Sequence, residues 1–219
     1  GIIYNTYRTD DEMAEYLRHI SERLPIVYMN RSLGDDENYA CVYTDGFKSN
    51  RKAVQYLIDK GRHKLGYVMN SEDVSIIEDR FEGFVQGLKD FGLELNEKWV
   101  YRVPRENEPD YIKLGRDAAK YYASLKDRPD AILTATDMLA IGCVKGFNES
   151  RLQVPEEISV IGFDNIFVSS LIEPPLTTIA QPVRKMGQAA AEILISKLQG
   201  KNTQNKVIFE GKLIVRETT

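Results

Sequence analysis

The stretch Val154–Gly200, VPEEISVIGFDNIFVSSLIEPPLTTIAQPVRKMGQAAAEILISKLQG, leaves few folds open. Ile158–Phe163 is a short, nearly continuous apolar run, the pattern of a strand covered on both faces of a parallel sheet. The run stops at Asp164, followed by the neutral Asn165. Ligands of open α/β sheets gather beyond the carboxyl ends of the strands. An Asp placed there can accept two hydrogen bonds from a polyol or a nitrogen heterocycle, although turns and caps use Asp just as readily. Pro174 and Pro175 forbid helix and favour extended chain through Leu176–Ala180. Beyond Pro182, the residues Val183, Met186, Ala190, Ile193, Leu194 and Leu198 share one helical face, and Gly200 stands just past its end.

The rest of the chain repeats this alternation. Strands are predicted at Ile2–Tyr4, Ile26–Met29, Ala40–Thr44, Leu65–Met69, Trp99–Val103 and Ala131–Ala135. Helices are predicted between them. The first is opened by a Thr9/Glu12 capping box and stopped by Pro25, and the next runs from Lys48 to Lys60 with Gly61 as C-cap. A third carries Phe81, Phe84, Val85 and Leu88 and is closed by Gly92; a fourth carries Leu114, Ala118, Tyr122 and Leu125; a fifth is capped by Asp137. Val207–Val215 is strand-like with a bend at Gly211, and Gly34-Asp35-Asp36 reads as a solvated turn. Strands and helices alternating in this way imply parallel sheets with helices on both faces.

Composition narrows the function classes. Lys and Arg total 29 against 33 Asp and Glu, a net charge of −4 that gives these residues no general attraction for a phosphate backbone. No apolar run approaches the ~20 residues that span a bilayer, and the first residues show no basic-then-apolar leader. Two cysteines, Cys41 and Cys143, make no disulfide framework and suit a reducing cytoplasm. Catalytic and phosphate-binding signatures such as GxSxG, GxxxxGK[ST] and GxGxxG are not found, and His19 and His63 lack metal-ligand spacing. The expectation is no enzyme, no cofactor and no metal.

Three more positions stand out. Arg80 lies early in a helix beside Phe81 and Phe84, where a guanidinium can reach toward hydroxyl, carboxylate or phosphate oxygens; the plainer use is a solvated helical arginine. Thr136 and Asp137 follow the strand Ala131–Ala135 at its carboxyl end, and Asp137 is read as an N-cap ahead of a ligand contact.

The segments VPEEISVIGFDN, PPLTTIAQP and MGQAAAEIL, in this order and spacing, resemble the effector-binding core of the lactose-repressor/galactose-repressor family of bacterial transcription regulators. IVYMNR at Ile26–Arg31, VYTDG, LIDKGRHKLGYV, RFEGF, PDAILTATDMLAIG and LIVRET extend the resemblance over essentially the whole chain. It implies a two-lobed, periplasmic-binding-protein-like α/β fold. One lobe would comprise residues 1–47 and 178–200 and the other residues 48–177 and 201–219, with crossovers near Asp45-Gly46, Pro174–Leu176 and Lys201–Asn205. The family's helix-turn-helix, hinge helix and first two strand–helix units have no counterpart here, so the resemblance also implies an incomplete N-terminal lobe, the less stable half, beside a complete C-terminal one.

The resemblance further implies effector contacts at Asp164 of the GFD motif and Arg80 of RFEGF, supported by Thr136, Asp137, Asn165 and, on the other lobe, Arg31. Thr136 replaces the Asn frequent in the family and shortens the reach; RVPREN at Arg102–Asn107 lacks the family's glycine-containing loop. The implied partners are a small effector (a sugar, sugar phosphate or nucleobase) held between the lobes, a second copy in a homodimer, and operator DNA through the missing N-terminal domain. A cytoplasmic repressor is the reading; an extracytoplasmic sugar-binding transport protein is the alternative.

Overall fold

A computed structural model describes residues 1–5, 11–30, 39–70, 75–103 and 110–219. Thr9 of the expected capping box, the acidic turn at Gly34–Asp36, Arg31 and most of RVPREN lie outside them. The strands are β1 (Ile2–Asn5), β2 (Ile26–Met29), β3 (Ala40–Asp45), β4 (Leu65–Asn70), β5 (Val100–Val103), β6 (Ala131–Thr134), β7 (Ser159–Asp164), β8 (Thr177–Ala180), β9 (Lys206–Glu210) and β10 (Lys212–Ile214). The α-helices are α1 (Asp11–Ser21), α2 (Gly46–Asp59), α3 (Ser75–Asp90), α4 (Tyr111–Ser124), α5 (Asp137–Glu149) and α6 (Val183–Leu198). Gly61, Gly92 and Gly200 adopt positive φ (80°, 67° and 67°) just past α2, α3 and α6, the conformation that closes a helix with least strain when no Cβ is present.

Two compact units result. The smaller holds a sheet of order β1-β2-β3-β9, all parallel. Period-two alternation decides its layers. Val27, Ala40 and Val42 face α6, burying Met186, Ala190 and Ile193. Their neighbours Ile26, Tyr28, Cys41 and Tyr43 point to the opposite face and pack with Leu17 of α1. The larger unit holds a sheet of order β10-β8-β7-β6-β4-β5, parallel except for β10. Its central strands are buried throughout, with Ile132, Val160, Ile161 and Phe163 inaccessible. Each such side chain contributes about 1.5–3 kcal/mol.

The unit boundaries differ from those expected. The chain passes between units at Asp45/Gly46, Gln181/Pro182 and Glu210/Gly211, and the first turn of α3 groups with the smaller unit. Thr178–Gln181 belong with the larger unit because β8 pairs with β7 and β10. Residues 201–210 belong with the smaller one because β9 pairs with β3. Local pattern shows that Val207–Val215 is extended but not which sheet accepts each half, and Gly211 is the point where it divides.

Candidate functional site

Four consecutive strands of the larger sheet, β8, β7, β6 and β4, bring their carboxyl ends to one edge, and several polar residues collect there. Asp164 ends β7, Thr136 follows β6, Gln181 follows β8, and Arg80 lies in the second turn of α3, the helix after β4.

Arg80 is buried, at 2% exposure. Its guanidinium lies over the Phe163 ring, 3.6 Å from the centroid, an arrangement in which a flat cation is held by the ring's negative face. Nη1 donates to the Ala135 carbonyl at 2.5 Å. The Arg80 carbonyl accepts from Asn50 Nδ2 (2.8 Å), and Asn50 also donates to the Tyr67 hydroxyl (3.0 Å). Burial pushes the Tyr67 phenol well above its ordinary value, so it stays neutral beside the arginine. Nη2 of Arg80 stands 3.7 Å from Asp164 Oδ1. That distance gives Coulomb attraction without a hydrogen bond.

Asp164 keeps 19% of its side chain exposed. Oδ1 accepts from Gln181 Nε2 at 2.7 Å. Burial raises its pKa to about 6; the Arg80 charge, the Gln181 hydrogen bond and a backbone hydrogen bond from Asp137 pull it down, and the Asp137 carboxylate pushes it up. Its backbone is strained: φ is 123° at Asp164 and 54° at Asn165. Asn tolerates the second value, but a non-glycine residue at 123° costs on the order of 1–3 kcal/mol and persists only where its surroundings enforce it.

Asp137 has a different place from the one its sequence position suggests. Thr136 is the N-cap of α5, its hydroxyl accepting from the Leu139 amide at 3.4 Å. The Asp137 carboxylate is fully buried: Oδ2 accepts from the Ile166 amide (2.9 Å) and Ser169 Oγ (2.6 Å), and Oδ1 from Thr178 Oγ1 (2.5 Å). Gly162 makes room, since a Cβ there would collide with Oδ1. Asp137 therefore braces the segment after β7. Asn165 is committed likewise, its Oδ1 accepting from Arg216 Nη2 at 2.7 Å. The structure thus brings Arg80, Asp164 and Thr136 to one strand edge, with Asp137 and Asn165 holding the loop that follows.

Sequence reasoning missed Gln181, Phe163 and Arg216. Gln181 was legible in principle, as the first polar residue past the extended Leu176–Ala180. The partners of Phe163 and Arg216 are fixed only by the fold. In the smaller unit, Asn30 at the end of β2 adopts φ 54°. It is 8% exposed and donates to Asn5 Oδ1 at 3.3 Å, and its own Oδ1 has no partner among the described residues.

Two parallel-sheet units through which the chain passes back and forth, with polar side chains at strand carboxyl ends, place this fold in the periplasmic-binding-protein class. Residues 54–219 match the periplasmic binding protein-like domain, and the chain belongs to that family, in the form found in LacI-family regulators. It is 30% identical over 224 residues to the HTH-type transcriptional repressor PurR of Photobacterium profundum, covering 100% of this chain and 64% of the repressor. Among solved structures it resembles the transcriptional regulator CelR–cellobiose complex (26% identity, TM-score 0.86, 100% of this chain and 65% of that one). It also resembles a sugar-binding LacI-family regulator from Escherichia coli complexed with phosphate (27% identity, TM-score 0.81, 99% of this chain and 76% of that one). The chain spans just under two thirds of the length of this curated repressor. No helix among the described residues is long and apolar enough to cross a membrane.

Proposed function

We propose that this chain is the ligand-sensing core of a bacterial transcriptional regulator, which takes a small effector at Arg80 and Asp164 and alters operator affinity through a DNA-binding part outside these residues. The observation that carries this reading is a pair not hydrogen-bonded to each other: a guanidinium held over Phe163, its Nη2 3.7 Å from the carboxylate of a residue in strained backbone. Two adjacent polar groups on one ligand, one donating to Asp164 and one accepting from Arg80, would turn that gap into two charge-assisted hydrogen bonds. Vicinal hydroxyls of a sugar and the edge of a nucleobase both have this pattern. Thr136 would add a weaker contact, and Asp137 and Asn165 would act from behind by fixing the loop. Arg31 is retained as a candidate contact on sequence grounds alone.

The relatives named as repressors, together with a neighbour held with cellobiose, favour a regulator over a transport protein. A cytoplasmic location and a homodimer reading a two-fold operator follow from the same reading. The effector would switch the regulator only through unequal affinity for its two states.

A thermal-shift series with cellobiose, a hexose phosphate and a free nucleobase tests this. A true effector at 100 times its Kd stabilises the fold by about 2.7 kcal/mol. Arg80→Ala and Asp164→Ala should each weaken its binding by at least about 1.5 kcal/mol. Unchanged affinity in both folded variants would refute the assignment.

A further inference from the structure

Two successive non-glycine residues at positive φ need an external hold, and the structure shows where it comes from. The Asn165 amide donates to Thr178 Oγ1 at 3.3 Å, and its side-chain oxygen accepts from Arg216 Nη2 at 2.7 Å. Arg216 is anchored in turn. Its Nη1 donates to the Leu176 carbonyl at 2.6 Å and its amide to Thr177 Oγ1 at 2.8 Å. The following residues are pinned as well: the Glu217 and Thr218 amides donate to the Pro175 carbonyl, and Thr218 Oγ1 links the Thr177 amide to the Val160 carbonyl. One planar guanidinium therefore spans from the start of β8 to the turn that ends β7.

We infer that Arg216 is a positioning residue for the site: by holding Asn165 in left-handed backbone it fixes the preceding Asp164 carboxylate at the strand end, in line with Arg80 and Gln181. Its bearing on ligand binding rests on the function proposed above, whereas the clamp itself does not. The two bonds leave separate nitrogens of one rigid plane, a spread that a guanidinium offers and the single nitrogen of an ammonium does not. The groups facing Asp164 are Arg80 of α3, Asp137 of α5 and Gln181 after β8, so loss of Arg216 would act on Asp164 through the backbone and not through its charge.

The test is a carboxyl-carbon NMR titration of Asp164 in the unliganded chain, with wild-type midpoint about 6. In Arg216→Gln, release of the turn lets water reach the carboxylate, and the midpoint should fall by at least about one pH unit toward the ordinary aspartate value of about 3.9. Removing a nearby positive charge alone would move it upward, so the sign separates the two causes. Arg216→Lys keeps the charge and should fall as well, which also covers the case in which the glutamine variant does not fold. Glycine adopts positive φ without strain, so the double variant Asn165→Gly/Arg216→Gln should titrate near the wild-type midpoint. Wild-type titration in Arg216→Lys, or a double variant that falls as far as the single one, overturns the inference. Because no ligand is present, that result leaves the effector assignment standing. A chain that titrates as expected yet responds to no effector class would defeat the functional reading alone.

Discussion

Asp164 is a carboxylate held where ionisation is disfavoured. With its pKa raised to about 6 from 3.8, the folded chain keeps a proton that the unfolded chain has already released between those values. Stability should therefore fall as pH rises through this window and level off above it. Asp164→Asn removes the charge and nearly keeps the shape. It should be more stable than wild type at pH 7, by on the order of 2 kcal/mol, with the gap closing near pH 4. Urea unfolding at both pH values measures this; a less stable asparagine variant at pH 7 would mean that Arg80 outweighs burial. Asp137 should behave in the opposite way. Its oxygens accept from three donors, and an amide would set a donor against a donor, so Asp137→Asn should lose about 3 kcal/mol in the same assay. Asp164 and Arg80 were legible because a strand end and a helix start are local features. The bracing role of Asp137 was not, since its partners lie 29 to 41 residues away, and a cap preference reports only the next turn.

Among the elements, α4 and α5 approach so closely that Gly115 and Gly142 face each other's backbones, and a Cβ on Gly115 would run into the Leu139 carbonyl and approach the Gly142 Cα at 2.9 Å. Two effects oppose each other in Gly115→Ala. Alanine is the better helix former by about 1 kcal/mol, whereas overpacking a tight contact costs about 1–3 kcal/mol. Here the obstacle is backbone, which has little freedom to move, so the clash should win and thermal melting should show a lower Tm. Solvent-facing Gly187 of α6, with nothing near its Cβ, is the control, where alanine should raise Tm. The presence and order of these helices followed from their apolar spacing and terminal glycines; the close crossing did not, because glycine inside a helical pattern reads simply as a weak helix former. Similarly, Trp99 was expected in a strand but closes a short 3-10 turn (Glu97–Trp99) before β5, its Nε1 donating to the Asp127 carbonyl at 3.0 Å.

At the scale of the molecule, the two sheets were predictable as a class, but the allocation of β8 and β9 was not, because sheet membership is a matter of distant pairing. The same pairing sets how stability is distributed. β7 lies between β6 and β8, with residues 159–163 buried. β1 has a ladder on one side only among the described residues, alternates half-buried with exposed positions, and leaves Ile3 41% exposed. Local opening of such an edge needs far less free energy than opening a central strand. Amides of β1 should therefore exchange with deuterium at least about 100-fold faster than those of β7 in the unliganded chain, a difference of roughly 2.8 kcal/mol at about 1.4 kcal/mol per tenfold. An open edge also invites pairing with another strand, so the comparison is made at low and high protein concentration. Protection of β1 that rises with concentration would mean that a second copy covers the edge. Protection equal to that of β7 at every concentration would show that β1 opens only with the whole unit, and the uneven distribution of stability argued here would be wrong.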